Sequence, residues 1–432
     1  MRCPSLNELP PAPTGRKGWP WTVETPPPAP AGAAEWPRTS IVSASFNQGP
    51  FIEETIRSIL LQGYRDLEYV IFDGGSTDES VEIIRKYERW ISYWVSEPDR
   101  GQSDAINKGF KRATGEIQTW LNCDDTYVPG ALYAAASYFR DHPEAGFVYG
   151  DCEWFDETGR TTRLFKGRPY TLESALSSSY ICQPASFVRR SLIEKVGLLD
   201  ESLHYVMDTE WWFRMATRDE QALHYLPGVL ARYRRWSGAK TMRVNRVAYC
   251  QEAIAVYEKA VDALPQDHPI KGQRLSLLLY QHLDLLRAYF AAGNLAQGEA
   301  CFEKVIRNSR SRADVQRIFD ALVWGLSQPG ATFDRSQQEL NRCYGTAESL
   351  LGAAPERRPS LATCRLKLAA LCRANGVPNT PGWAHTLYGI LRLLCSEPRW
   401  CRTHSGSVVN VLAGSSVGWA LRRWHRGLRR PR

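Results

Sequence analysis

Residues 67–78 read Leu-Glu-Tyr-Val-Ile-Phe-Asp-Gly-Gly-Ser-Thr-Asp, and this stretch decides the fold. A short, nearly apolar run rich in β-branched and aromatic residues predicts a buried strand over Leu67–Phe72. Asp73 ends it, and Gly74-Gly75 permits a sharp turn and a close ligand approach. Ser76 or Thr77 is then expected to cap a helix carrying Val81, Ile83, Ile84 and Tyr87. The pattern recurs on both sides. Ser40–Ser45 reads as a buried strand, followed by the turn Asn47-Gln48-Gly49-Pro50 and by Ile52, Ile56, Ile59 and Leu60 at helical spacing. Tyr93–Ser96 precedes Asp99-Arg100-Gly101, and Ile117–Leu121 precedes Asn122-Cys123-Asp124-Asp125. Alternation of this kind predicts an α/β domain, with polar and acidic residues collected at the carboxyl ends of successive strands, where open α/β sheets bind ligands.

The 432 residues exceed one ordinary core. Residues 1–38 are proline-rich and are expected to be a disordered tail. Residues 39–245 carry the α/β pattern. Residues 246–405 change to helical spacing, as in Leu277, Leu278, Tyr280, Leu283 and Leu286, and predict an all-α accessory domain. Within it, 286–305 looks like a single tetratricopeptide-type helix pair with no convincing second copy. Residues 406–432 form a basic amphipathic tail: Val417, Leu421, Trp424 and Leu428 at helical spacing among arginines, a composition suited to an anionic membrane surface or to a solvated terminal helix.

The charge of +8 is concentrated in that tail, so nucleic-acid binding gains no support. Eleven scattered cysteines without a Cys-x-x-Cys pair argue against a disulfide framework or structural zinc and fit a reducing compartment. No signal-peptide pattern and no apolar run of about 18 residues is present. The expected location is cytoplasmic, with peripheral attachment to the inner face of the cell membrane left open.

Residues 39 to about 242 resemble the GT-A catalytic domain of inverting family 2 glycosyltransferases. The resemblance rests on Ser43-Ala44-Ser45-Phe46-Asn47, on Phe72–Asp78, on Asp99–Gly109, on Ala113-Thr114-Gly115-Glu116, on Leu121–Asp125 and on Asp208–Arg214, in that order and spacing. It covers about half the chain. It implies sugar transfer from a nucleotide-diphosphate donor, UDP-sugar by family habit, to a hydroxyl of a glycan or lipid-linked acceptor in cell-surface or exopolysaccharide synthesis.

The resemblance assigns Asp73 to the nucleotide base, with Ser43 and Ser45 lining the same pocket. Arg100 is matched to the donor's phosphates or base edge and Asp104 to the sugar, a surface ion pair being the competing account. Asp124 is matched to a divalent cation, Mg²⁺ or Mn²⁺, which prefers oxygen ligands and helps stabilise a leaving diphosphate. The family's usual Asp-x-Asp has Asn122 in first place here, able to bond a ribose but without charge. Asp208 is matched to the general base that deprotonates the acceptor, with Glu210 its rival. Positions two apart on a helix do not share a face, so only one of them should enter the site. Gln183-Pro184-Ala185-Ser186 resembles a segment shaping the acceptor side. In Tyr233–Thr241, Trp236 stands where the family often has His, which shifts any cationic duty to Arg234, Arg235 or Lys240. A catalytically inactive scaffold acting through the helical domain remains an alternative at this stage.

Overall fold

The computed structural model describes residues 3–26, 36–242, 245–329 and 332–351, with positions 359, 364, 367, 368, 371 and 372. The chain alternates β1 (Thr39–Ser45), α1 (Gly49–Leu60), β2 (Leu67–Asp73), α2 (Ser80–Tyr87), β3 (Tyr93–Ser96), α3 (Gln102–Arg112) and β4 (Ile117–Trp120). The sequence pattern predicted each of these strands. The second helix starts later than expected: Asp78, not Ser76 or Thr77, accepts from the Ser80 amide at its start. There follow β5 (Thr126–Tyr127), α4 (Ala131–Asp141), β6 (Phe147–Asp156), β7 (Thr161–Phe165), α5 (Leu172–Ser177), β8 (Ser186–Arg189), α6 (Arg190–Val196), α7 (Met207–Asp219) and β9 (Leu223–Arg235).

The strands form one sheet in the order β3-β2-β1-β4-β8-β6-β9-β5, with β7 added to β6. Its first half is parallel, whereas β8 runs antiparallel to both β4 and β6. The parallel strands read as continuous apolar runs because both faces are covered: Ile41, Val42, Val70 and Ile71 are all buried. Helix α3 lies so close that a Cβ at Gly109 would sit 2.2 Å from Val42 Cγ1. Register then sets the site. Ser45 pairs with Asp73, and Asp73 with Ser96, so three strands end level and present their last residues side by side.

In its described part, residues 3–26, the proline-rich segment is packed and not a disordered tail. Cys3, Leu9 and Trp21 are buried. Cys3 N donates to Tyr64 O, Thr25 N to Leu61 O and Trp19 Nε1 to Tyr127 O. Arg57 of α1, 1% exposed, donates to the carbonyls of Pro10, Pro20 and Trp21 and to Tyr87 Oη. Proline stiffens this strap and so lowers the entropy cost of ordering it. The tryptophans supply the apolar surface that its composition seemed to lack.

The helices α8 (Arg246–Asp262), α9 (Pro269–Ala291), α10 (Leu295–Arg307), α11 (Arg312–Leu326) and α12 (Phe333–Leu350) complete the described chain. Contacts divide it into one unit of Met1–Asn245 with Ala255–Arg274 and a second of Arg246–Ile254 with Leu275–Arg432. The division thus passes through α8 and α9 instead of falling at residue 245. The second unit packs Phe302, Val305, Ile318, Phe319, Leu322 and Leu340 into its own core. Its α9–α10 hairpin turns at Gly293, φ 73°, a left-handed conformation that glycine adopts without strain. The basic tail, 406–432, lies outside the described residues. Among the described residues no helix is long and apolar enough to cross a membrane, and nine cysteines are buried with free thiols.

Candidate active site

The first corner of the site is the Asp73 turn. Asp73 Oδ2 accepts from the amides of Gly75 and Ser76 and from Ser96 Oγ, and Oδ1 accepts from Ser76 Oγ at 2.5 Å. The carboxylate therefore organises its own loop. That loop is tied to the end of β1 by Gly74 N to Ser45 O, Asn47 N to Ser76 Oγ and Thr77 N to Asn47 Oδ1. Between the two, Phe46 stands 60% exposed. A large ring held in water beside a polar strand end offers a stacking face, a role that the sequence pattern alone does not assign to Phe46. Ser43 is committed to the sheet: its Oγ donates to Leu121 O and accepts from Tyr69 Oη. Ser45 Oγ is buried with no hydrogen-bond partner among the described residues.

The second corner follows β4. Strands β5 and β9 pair at Thr126–Arg232 and Tyr127–Ala231, which carries Arg234–Trp236 back over Asp124 and Asp125. Trp236 Nε1 donates to Asp124 Oδ2 at 3.0 Å while its ring meets Phe51 edge-on at 4.9 Å. Arg234 is buried against Glu54 at 2.9 Å and also donates from Nε to Asp124 O, so its charge is already paired. Asp125 is fully buried and takes the Arg234 amide on Oδ1. Burial pushes the Asp124 carboxyl up, opposed by the indole hydrogen bond. Burial, then the neighbouring Asp124 charge, drive Asp125 well above the usual carboxylate range. Of the pair, half-buried Asp124 is the one with access to solvent.

A directed chain of hydrogen bonds leaves this corner. Lys240 Nζ donates to Gln102 Oε1 (3.1 Å), Gln102 Nε2 to Asn122 Oδ1 (2.8 Å), Asn122 Nδ2 to Gln183 Oε1 (3.2 Å) and Gln183 Nε2 to Trp120 O (2.8 Å). Gln102 was absent from the sequence-derived candidates. Its signal was local: it opens α3 immediately after Arg100-Gly101, with Gly101 at φ 115°. Lys240 is the remaining cation of the Tyr233–Thr241 segment that reaches the site, since Arg235 is exposed and bonded to Met242 Sδ.

Lys240 also faces Asp208, at the start of α7. Burial raises the Asp208 carboxyl, with the Thr209 amide and hydroxyl and the Lys240 charge opposing. Its rival Glu210 turns away, 4% exposed, into Arg214 (2.6 Å) and Lys259 (3.1 Å). Helical phase has separated the two carboxylates. Arg100 and Asp104 form an ion pair at 2.9 Å, Arg100 also reaching Glu201 at 2.6 Å, which holds Asp104 down to about 2. Asn107 exchanges two hydrogen bonds with Leu199, so the same helix anchors the loop leading to α7 and thereby Asp208. Asp73, Asn122, Asp124 and Asp208 thus share one edge of the sheet unit, while Ser43, Arg100 and Asp104 are engaged in holding its loops.

A half-parallel sheet of this order, with carboxylates at its strand ends and a return strand folded over them, defines the GT-A class of nucleotide-sugar transferases. Staphylococcus aureus TarS, residues 1–349 in complex with UDP-GlcNAc, shares the fold at TM-score 0.52 and 14% identity, over 74% of this chain and 92% of that one. The model of glycosyl transferase family 2 matches residues 40–197. A PGL/p-HBAD biosynthesis glycosyltransferase of Mycobacterium bovis is 30% identical over 215 residues, 48% of this chain and 80% of the relative. An uncharacterized glycosyltransferase of Mycobacterium tuberculosis is 29% identical over 180 residues, 41% of this chain and 68% of the relative. The chain belongs to glycosyltransferase family 2.

Proposed function

We propose that this protein transfers a sugar from a nucleotide-diphosphate donor, a UDP-sugar, to an acceptor hydroxyl with inversion, Asp208 being the general base and Asp124 the metal ligand. The observation that carries this reading is that one short segment serves both carboxylates: Trp236 bonds Asp124, and the charge of Lys240, four residues on, acts on Asp208. Asp208 takes the hydroxyl proton as the acceptor oxygen bonds to the anomeric carbon and the bond to the diphosphate breaks on the opposite face. A carboxyl raised by burial is a stronger base than an exposed one, which suits proton abstraction near neutral pH.

The donor set fits a divalent cation held by a single protein carboxylate. Asp124 would hold the cation while its Oδ2 also accepts from Trp236, and Asn122 and Asp125 have inward partners. When bound, such a cation would supply charge against the leaving diphosphate. Phe46 and the Asp73 loop would receive the base, and Lys240 adds positive charge near Asp208. Family habit places the product among cell-surface or exopolysaccharide glycans and the protein on the cytoplasmic side of the membrane. Retained liposome binding after removal of residues 417–432 would overturn a membrane role for the tail.

Calorimetric titration of UDP, GDP and dTDP, each with and without Mn²⁺, tests the reading on wild type and Asp124→Ala. The expected result is metal-dependent binding of UDP that Asp124→Ala weakens at least tenfold. Folded protein that binds none of the three nucleotides would overturn it.

A further inference from the structure

The catalytic edge of the sheet is not the only place where this chain gathers ligand atoms. Near the start of β9, His142, Glu144 and His224 each bring a ligand atom within 4.8 Å of the other two. Among the described residues no other three His, Cys, Asp or Glu side chains do so. The cluster stands well away from the candidate active site. His224 is the second residue of β9, whereas Arg234, which bonds Asp124 O, lies at the other end of the same strand. Extended chain of that length spans about 30 Å, so these side chains serve neither Asp124 nor Asp208.

The backbone fixes the cluster before any side chain is placed. Helix α4 ends at Asp141, and His142-Pro143-Glu144 turns the chain toward β6, with Ala145 N donating to His142 O. Proline restricts φ in the middle of that turn. Arg189 clamps it from outside, donating to Ala145 O at 2.8 Å and to Phe139 O. Gly146 N donates to Ala222 O, and Val148 pairs with His224 in the β6–β9 ladder, so turn and strand keep a set separation. Tyr138, in the last turn of α4, stacks on the His142 ring at 4.2 Å and places its Oη 3.1 Å from His224 Nδ1. His224 Nε2 lies 2.9 Å from Gln221 O. A carbonyl only accepts, so Nε2 carries the proton and Nδ1 the lone pair. Metal-bound histidines are normally oriented in this way, by donating the second ring N–H to a carbonyl. His142 Nδ1 in turn lies 3.2 Å from Glu144 Oε1. The Glu144 carboxyl is held below its ordinary range by its own backbone amide, then by both histidines.

We propose that His142, Glu144 and His224 form a second metal site, one that takes Zn²⁺ with water in the remaining position. Two imidazoles and a carboxylate suit zinc, whereas Mg²⁺ and Ca²⁺ prefer shells made of oxygen alone. Ligands of a tetrahedral zinc, each about 2.0–2.2 Å from the ion, lie about 3.3 Å from one another. The three side chains therefore need only close inward by rotation, for which Glu144, 59% exposed, has room. The scattered cysteines speak against a thiolate site and are silent on an imidazole one. The ion would cross-link the turn after α4 to the start of β9, the strand whose other end carries Arg234 to the Asp124 corner. Its duty is to fasten that return strand, and the proposal stands independently of the transferase reading.

The test is calorimetric titration of Zn²⁺ into the full chain without nucleotide, paired with melting curves taken with and without Zn²⁺. Wild type is compared with His142→Gln, His224→Gln, Glu144→Gln and Asp124→Ala. Glu144 is exposed in a loop, so its variant reads the site even if a histidine substitution disturbs folding. The expected result is one equivalent of zinc bound by wild type, weakened about tenfold or more by each of the three cluster substitutions and unaltered by Asp124→Ala. Zinc should also raise the melting temperature of wild type, because the ion binds the folded state, and this gain should shrink in the cluster variants. Wild type that binds no zinc, an unaltered zinc affinity in the folded Glu144→Gln variant, or a loss confined to Asp124→Ala would overturn the proposal.

Discussion

Trp236→Phe isolates one hydrogen bond at the centre of the site. The substitution keeps a ring against Phe51 but removes the Nε1–H that Asp124 Oδ2 accepts at 3.0 Å. A hydrogen bond to a charged group contributes about 1.5–3 kcal/mol. Asp124 is half-buried, so the lower end applies, equivalent to about a tenfold change in an equilibrium. The sign follows from the opposed causes. Burial raises the Asp124 carboxyl, and the indole is the largest of the effects that oppose it, ahead of a backbone hydrogen bond and the Arg234 charge, so deleting the indole lets the carboxyl hold its proton to higher pH. A proton on Asp124 competes with a cation. The Mn²⁺-dependent affinity for UDP should therefore fall by up to about tenfold, and the deficit should be larger at pH 6 than at pH 8.5, since rising pH removes the competing proton. Calorimetry at the two pH values reads this directly, with Mn²⁺-free titrations as the reference. A deficit of the same size at both pH values, or none at pH 6, would refute the reasoning, because it would mean that the indole does not govern the charge on Asp124.

Asp208→Asn should lower the transfer rate by about 10² or more and leave UDP affinity unchanged. In wild type the rate should fall, as pH drops, at a pH above that of an exposed carboxylate, since burial raises Asp208. Asp125 has a folded-state carboxyl raised well above 3.8, so the folded protein binds that proton more tightly than the unfolded chain and loses stability as pH rises through this window. Asp125→Asn keeps an oxygen for the Arg234 amide and removes the slope. The melting temperature of the variant should gain on wild type by a few degrees between pH 5 and pH 8, and a constant difference would contradict the assignment. Arg57→Met orphans three carbonyls, two of them fully buried, should cost about 3 kcal/mol by urea unfolding, and should expose residues 3–26 to proteolysis.

The sheet was legible because its parallel strands, covered on both faces, must be written as apolar runs such as Tyr69–Phe72 and Ile41–Val42. The acidic strand ends were legible for the same reason: Asp73 and Asp124 interrupt those runs where topology opens a crevice. The choice between Asp208 and Glu210 could be framed from helical phase but not decided, since the ion pairs of Glu210 include Lys259, far along the chain. Trp236 stood out as a departure, yet its bond to Asp124 depends on the β5–β9 pairing that no local pattern announces. The N-terminal strap was misread because composition reports average hydrophobicity, whereas burial there depends on three or four well-placed side chains and one distant arginine.

That arginine sets an uneven tolerance to sequence change. Three of the four groups Arg57 grips are main-chain carbonyls, those of Pro10, Pro20 and Trp21, and a carbonyl is present whatever side chain the residue carries. The strap can therefore vary its side chains at Pro10 without loosening the grip, provided its path is kept. The guanidinium cannot be exchanged even for lysine, whose single ammonium lacks the planar fork that reaches several acceptors at once. A randomised library of this protein should return position 57 as nearly invariant and position 10 as permissive, the reverse of what exposure-blind composition would suggest for a proline-rich leader and an arginine on a helix.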